Sequence, residues 1–168
     1  VELDGVDHRV AIVGDGSFRL LSFTGGSFAV RHLTLRGGSA SDGQGGGAIL
    51  ASVPGAVTSS TLRSNQATQP GGAIATTAAL TVVNATFTAN SAYAGADIAG
   101  SGAAFLDVAF STFKGSEGGA VWRDPEGSGG GNVVSSILAT SPGCTGILGG
   151  STNVEDGNTC PDVRSEVG

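Results

Sequence analysis

The residues able to do chemistry are few, and the densest group lies near the start of the chain: Asp4, Asp7, His8 and Asp15, with Arg9 and Arg19 close by and Arg31 and His32 further on. Such a set could serve a polysaccharide lyase, which needs carboxylates for calcium and a Lys or Arg base. It could also serve a glycoside hydrolase, which needs carboxyl groups about 5 to 9 Å apart. The acidic residues do not, however, recur at equivalent positions along the chain. Asp4, Asp7 and Asp15 stand among glycines, where aspartates make turns. We therefore assign no catalytic residue, no cofactor-binding residue and no metal ligand. A carbohydrate-active site around Asp4, Asp7, His8 and Arg31 is the alternative.

Elsewhere the signals are weaker. Asp107 reads as a strand residue opposite the Phe105 pattern, and Asp124 and Glu126 read as a loop after Trp122; both places are expected to be solvated. His32, between Arg31 and Leu33, reads as an outward residue. Trp122, the sole tryptophan, either covers the edge of the core, the reading we favour, or offers a sugar-stacking surface. Gly45-Gly46-Gly47 and Gly129-Gly130-Gly131 lack the Lys-Ser/Thr of a phosphate-binding loop, so no nucleotide site is implied. Cys144 and Cys160 flank a Gly-rich segment with little core of its own. A disulfide there is expected, with two free thiols the alternative.

What must position these residues is a repeat. Short alternating apolar segments end on Leu35, Leu62, Phe87, Phe113 and Leu138, which are separated by 27, 25, 26 and 25 residues. A second phrase, Gly-Gly-Ala followed by an apolar residue, recurs at Gly46-Gly47-Ala48-Ile49, Gly71-Gly72-Ala73-Ile74 and Gly118-Gly119-Ala120-Val121. An interrupted copy stands at Ala94-Gly95-Ala96-Asp97-Ile98. Gly47, Gly72, Gly95 and Gly119 are 25, 23 and 24 apart. Two independent markers with one period indicate a solenoid. Within each segment the apolar spacing is near two and β-branched and aromatic residues dominate, as in Leu80-Thr-Val82-Val-Asn84-Ala-Thr86-Phe87-Thr88; helix is disfavoured.

The fold expected is therefore all-β: a single-stranded right-handed parallel β-helix (β-solenoid) of about 5 to 6 coils of 23 to 27 residues. It would form one domain over 1–168, with 1–27 as the first coil, 28–140 as regular coils and 141–168 as a Gly-rich closing loop with the cysteine pair. Leu35, Leu62, Phe87, Phe113 and Leu138 should form an inward column at about 4.8 Å per coil. Ala48, Ala73, Ala96 and Ala120 should line a narrow part of the interior. The residues three positions after each marker, Gly38, Asn65, Asn90, Ser116 and Ser141, are expected where the backbone bends and enters the left-handed region. Asn65 and Asn90 would stack, either sharing side-chain hydrogen bonds or each merely tolerating its turn.

Composition narrows function. The net charge is −6, with a single lysine, Lys114, and dispersed charges, which argues against nucleic acid. Mean hydropathy is +0.18, but no apolar run approaches the ~18 residues a spanning helix needs. The lack of methionine predicts a processed start, with an export signal lost alongside it.

The phrases Gly71-Gly72-Ala73-Ile74, Phe87-Thr-Ala-Asn90-Ser91-Ala92 and Gly14-Asp15-Gly16-Ser17-Phe18-Arg19 resemble the GGAI and FxxN repeats of the polymorphic outer-membrane protein family. They are similar also to bacterial β-helix proteins of the CSLREA and choice-of-anchor type. Val1 to Val10 is similar to their first coil, and Ser136-Ile137-Leu138 with Cys144, Asn153 and Cys160 to their last coil and closing loop. Asp97, Gly38, Ser116 and Ser141 depart from the motif. The resemblance implies a bacterial β-helix displayed at the cell surface. We expect an exported, non-enzymatic module, extracellular, cell-surface or periplasmic, acting in adhesion, binding or a larger assembly. Its flat sheets and its loops Ser39 to Gly45 and Arg123 to Gly131 would meet a protein or glycan, and its coil ends could self-associate.

Overall fold

The computed structural model describes residues 1–6, 8–155 and 159–160. Asp7 lies outside the described residues, as does most of the segment beyond Glu155. Among the described residues there is no helix, and every strand pairing is parallel. The chain winds as a β-solenoid of about six turns.

Three parallel sheets run the length of the solenoid. Sheet A stacks Glu2–Asp4, Phe28–Arg31, Gly55–Thr58, Leu80–Val83, Phe105–Ala109, Gly130–Val134 and Gly149–Ser151. Sheet B stacks Val10–Val13, Leu33–Arg36, Thr61–Arg63, Thr86–Thr88, Thr112–Lys114, Ile137–Ala139 and Val154–Glu155. Sheet C stacks Leu21–Phe23, Ile49–Ala51, Ile74–Thr76, Ile98–Gly100, Val121–Arg123 and Cys144–Thr145. No strand could bury its apolar face alone. Stacking makes one continuous core out of six short ones.

Register puts like residues in columns. On sheet B, Leu35 pairs with Leu62, Leu62 with Phe87, Phe87 with Phe113 and Phe113 with Leu138. All five are fully buried, and the Phe87 and Phe113 rings stack with centroids 4.9 Å apart. On sheet A the inward column is Val30, Val57, Val82, Val108 and Val133. On sheet C it is Ile49, Ile74, Ile98 and Val121. Like side chains one coil apart stack into continuous buried columns, because each meets nearly the same neighbours as the one before.

Each alternating phrase in the sequence proves to be two strands and a corner. His32, Ser59, Asn84, Phe110, Ser135 and Thr152 join sheet A to sheet B, and all have φ between 48 and 55°. His32 and Asn84 are thus left-handed corners and not members of a continuous strand. The period near two survives because the corner replaces one extended residue by one bent one. A second corner follows sheet B at Gly37, Ser64, Ala89 and Gly115.

That second corner corrects the expected site of the bend. The left-handed residue stands two positions after each of the first four markers, and the third, Gly38, Asn65, Asn90 or Ser116, is buried within the solenoid. Ser141 does not continue this column: it is exposed, and Thr140 Oγ1 instead donates to the Ser116 carbonyl at 2.8 Å. Asp107 is also corrected. It projects from the same outer face as Phe105, while Leu106 and Val108 fill the core.

The glycine phrase has two separate causes. Gly71 has φ +88°, a conformation other residues adopt at a cost. At Gly72 a Cβ would run into the carbonyls of Ser91 and Ala96, so glycine is needed for the close approach of neighbouring coils.

Cys144 and Cys160 form a disulfide, with Cα atoms 4.7 Å apart and 16 residues between positions. Closing a loop of that size stabilises by about 3 kcal/mol in the chain-entropy description. Replacing both cysteines by serine should lower stability by roughly that amount, read as a lower urea midpoint. An unchanged midpoint would mean the loop is held by its hydrogen bonds alone.

Candidate functional site

The corners create an interior hydrogen-bonding problem. A left-handed residue breaks the strand ladder, so the N–H that follows it needs another acceptor, and a buried N–H without one costs about 1 to 3 kcal/mol. Side-chain oxygens from the next coil supply it. Gly38 N donates to Asn65 Oδ1 and Asn65 N to Asn90 Oδ1, both at 2.9 Å, and Asn90 N to Ser116 Oγ at 3.3 Å. The amides also reach back: Asn65 Nδ2 to the Leu35 carbonyl at 3.2 Å and to Asn90 Oδ1 at 3.1 Å, and Asn90 Nδ2 to the Leu62 carbonyl at 3.0 Å.

At the first corner the same device is built from serine. Leu33 N donates to Ser60 Oγ, Ala85 N to Ser111 Oγ and Ser111 N to Ser136 Oγ, each at 3.2 Å, and Ser136 N to Asn153 Oδ1 at 3.0 Å. Sequence reasoning missed this ladder. Leu33 and Ala85 occupy the column in two coils, so its period is broken.

Asp97 closes the asparagine ladder. Counted back from Ile98, which pairs with Ile74 and Val121, it is Asp97 and not Ala96 that shares a column with Ala48, Ala73 and Ala120. The interrupted glycine phrase is therefore a substitution: Gly95, Ala96 and Asp97 stand for Gly71, Gly72 and Ala73. Asp97 Oδ1 accepts from Asn90 Nδ2 at 2.8 Å and from Ser116 Oγ at 2.6 Å. Serine at 116 is a shorter side chain than the asparagines before it, and the Asp97 carboxyl occupies the space beside it. The carboxyl is fully buried, and its Oδ2 has no hydrogen-bond partner among the described residues. Burial pushes its pKa up to about 7, against the lowering effect of Ser116 and Asn90.

The first coil separates the residues that sequence reading grouped together. Asp4 Oδ1 meets His32 Nδ1 at 2.8 Å and accepts from Val6 N at 2.9 Å, and the His32 bond holds its carboxyl below the usual range. Asp15 accepts from Ser17 N at 2.9 Å in a turn and is lowered by it. Arg31 faces Glu2 at 3.5 Å. Ser59 follows His32 in the corner column, but Ser59 Oγ is bonded to Asn84 Nδ2 at 3.3 Å, and no hydrogen bond joins it to His32 among the described residues. Nor do the described residues hold three or more His, Cys, Asp or Glu arranged for a metal.

Two arginines, the half-buried Arg19 and the buried Arg123, hold Gly-rich loops in place. Arg19 donates through Nε to the Gly46 carbonyl at 2.9 Å and through Nη2 to the Gly45 carbonyl and Asp42 at 3.0 Å, and Asp42 is lowered by that bond. Arg123 donates to the carbonyls of Gly146 at 2.7 Å and of Gly127 and Gly129 at 2.9 Å.

The loop held by Arg19 forms one wall of a groove of about 320 Å³ on the outer face of sheet C. Leu50, Ala75 and Ala99 make its floor, Gln44 and Gln69 its walls, and Trp122 its end. Leu50, Ala75, Ala99 and Trp122 are register partners, one per coil. Small side chains between a leucine and a tryptophan leave a trough, because the alanines rise less from the sheet than either neighbour. Trp122 is half-buried and faces outward from its strand. An apolar floor, an aromatic end and amide walls match the chemistry of a sugar ring, whose faces are apolar and whose edges are hydroxyls.

Compared with protein-family models, curated proteins and solved structures, the chain matches none. Among the described residues no helix is long and apolar enough to cross a membrane.

Proposed function

We propose that this chain is a non-enzymatic β-solenoid binding module, exported and displayed outside the cell or at its surface, of the kind the polymorphic outer-membrane and CSLREA-type repeats represent. The groove on sheet C carries the reading: a trough with one floor residue per coil, a tryptophan at its end and neutral hydrogen-bonding side chains along its walls. A disulfide suits an oxidising compartment. The wall loop and the loops beside the Trp122 strand are tied down by part-buried arginine hydrogen bonds, so less ordering cost falls on binding. The ligand class is a neutral or weakly charged glycan lying across the coils.

A glycan array probed with the intact protein and with Trp122→Ala tests this. Binding should fall roughly tenfold or more in the variant, the scale of a lost aromatic anchor, while the β-sheet circular dichroism stays the same. Equal binding by the two proteins would sink the groove, and so would turnover of a polysaccharide that Asp4→Ala abolishes.

A further inference from the structure

The outer face of sheet B carries a second, chemically different grid. Register aligns Thr34, Thr61, Thr86 and Thr112 in one outward column and Arg36, Arg63, Thr88 and Lys114 in the next. Arg36, Arg63 and Lys114 are exposed. Arg9 and His8, also exposed, extend the basic strip at the end where Val10–Val13 pairs with Leu33–Arg36. A shallow depression of about 520 Å³ joins His8, Arg9, His32, Arg36 and Arg63.

Half of the chain's eight Lys and Arg residues thus sit on one face of a protein whose net charge is −6. Among the described residues none of Arg9, Arg36, Arg63 and Lys114 has an ion pair; the pairs present involve Arg19, Arg31 and His32. Of the acids bordering the face, Asp4 is held by His32 and Asp15 by Ser17, Glu117 lies beyond the second corner, and Glu155, at the far end of sheet B, accepts from Thr159 N and Cys160 N. Arg36 and Arg63 are direct register partners, and like charges stacked opposite one another on a sheet destabilise it. The acids that could relieve this are placed elsewhere.

We propose that this face binds a linear anionic glycan, a chain bearing uronate or sulfate groups, running along the solenoid axis. The basic column supplies an anion contact in the first, second and fourth of the coils Leu35 to Phe113 mark, and the threonine column supplies hydroxyls for the sugar between them. Single-stranded nucleic acid is the poorer fit, since it binds on rows of aromatic stacking platforms, and among the described residues the strands of sheet B project no aromatic side chain, Phe110 at one corner being the single exposed ring beside them. The inference is independent of the sheet C groove.

Fluorescence titration of the intact protein with a labelled heparin oligosaccharide, polygalacturonate, neutral dextran and oligothymidylate tests it. One or both anionic glycans should bind, sulfated or uronate chains being told apart by which, and in the Trp122→Ala variant dextran should bind less tightly than the anionic glycan that binds. Arg36→Gln with Arg63→Gln should weaken binding roughly tenfold and reduce the slope of log K against log salt by about two. Asp107→Asn, on sheet A, and Trp122→Ala should leave that binding unchanged, which separates this face from the groove. The proposal fails if neither anionic glycan binds, if the double variant binds like the parent, or if oligothymidylate binds more tightly than both.

Discussion

Asn90→Ala should be among the most damaging single substitutions in this protein, lowering stability by about 4 kcal/mol. The side chain is buried in the solenoid and ties its own coil to the one before it. Its Oδ1 takes Asn65 N and Asn65 Nδ2, while its Nδ2 goes to the Leu62 carbonyl and Asp97 Oδ1. Alanine would take the side-chain partner from Asn65 N and from the Leu62 carbonyl in a place water does not reach, at about 1 to 3 kcal/mol each, while Asn65 Nδ2 keeps the Leu35 carbonyl and Asp97 Oδ1 keeps Ser116 Oγ. Asn65→Ala should cost less, because the coil before it presents Gly38 N and the Leu35 carbonyl but no amide side chain. Urea midpoints of the two variants check this, and equal losses would show that Asn90 is no more than one rung among several.

Stability should fall as pH rises from about 4 to about 7, the total loss being on the order of 4 kcal/mol. Asp97 has an ordinary carboxyl pKa of 3.8 in the unfolded chain and about 7 in the folded one. Between these values the folded protein holds a proton that the unfolded chain has released, so folding takes up a proton and weakens as protons become scarce. Below about pH 4 the stabilisation is complete, and above about 7 the folded protein carries a buried carboxylate. The exposed acids Asp4, Asp15 and Asp42 shift the opposite way, and solvent screens their effect. Asp97→Asn isolates the buried group. Its amide oxygen can accept from Asn90 and Ser116 as the carboxyl does, so the variant should match the parent near pH 4 within about 1 kcal/mol and exceed it increasingly up to pH 8. Parallel pH profiles of the two proteins would remove Asp97 as the cause.

Both expectations arise from one feature of the fold, a polar ladder inside an apolar prism. Every hydrogen bond in it joins residues from different coils or from opposite ends of one coil, as with Asn90 and Asp97. The ladder supplies acceptors where left-handed corners interrupt the sheets. Without it the solenoid could still stack its valine, isoleucine and phenylalanine columns, but the corners would lack a defined register. An apolar column tolerates a slip more readily than a hydrogen bond does.

The sequence alone determined what depends on periodicity. A spacing of 23 to 27 residues in two markers, with local alternation near two, suffices for a β-solenoid, because burying every second residue of a strand and stacking every coil are properties of pattern. Leu35, Leu62, Phe87, Phe113 and Leu138 stand in one column for that reason. Tertiary structure alone decided what depends on a single residue's direction. Asn65 and Asn90 were visible as a repeating pair, but their inward turn follows from Ser64 and Ala89 taking the left-handed corner, and neither residue type announces that role. Asp97 read as an interruption until the strand register placed it in the alanine column. The basic strip was hidden in the same way: Arg36, Arg63 and Lys114 are scattered singly along the chain with Thr88 between the last two, and only the stacking of coils about 25 residues long brings their charges onto one face.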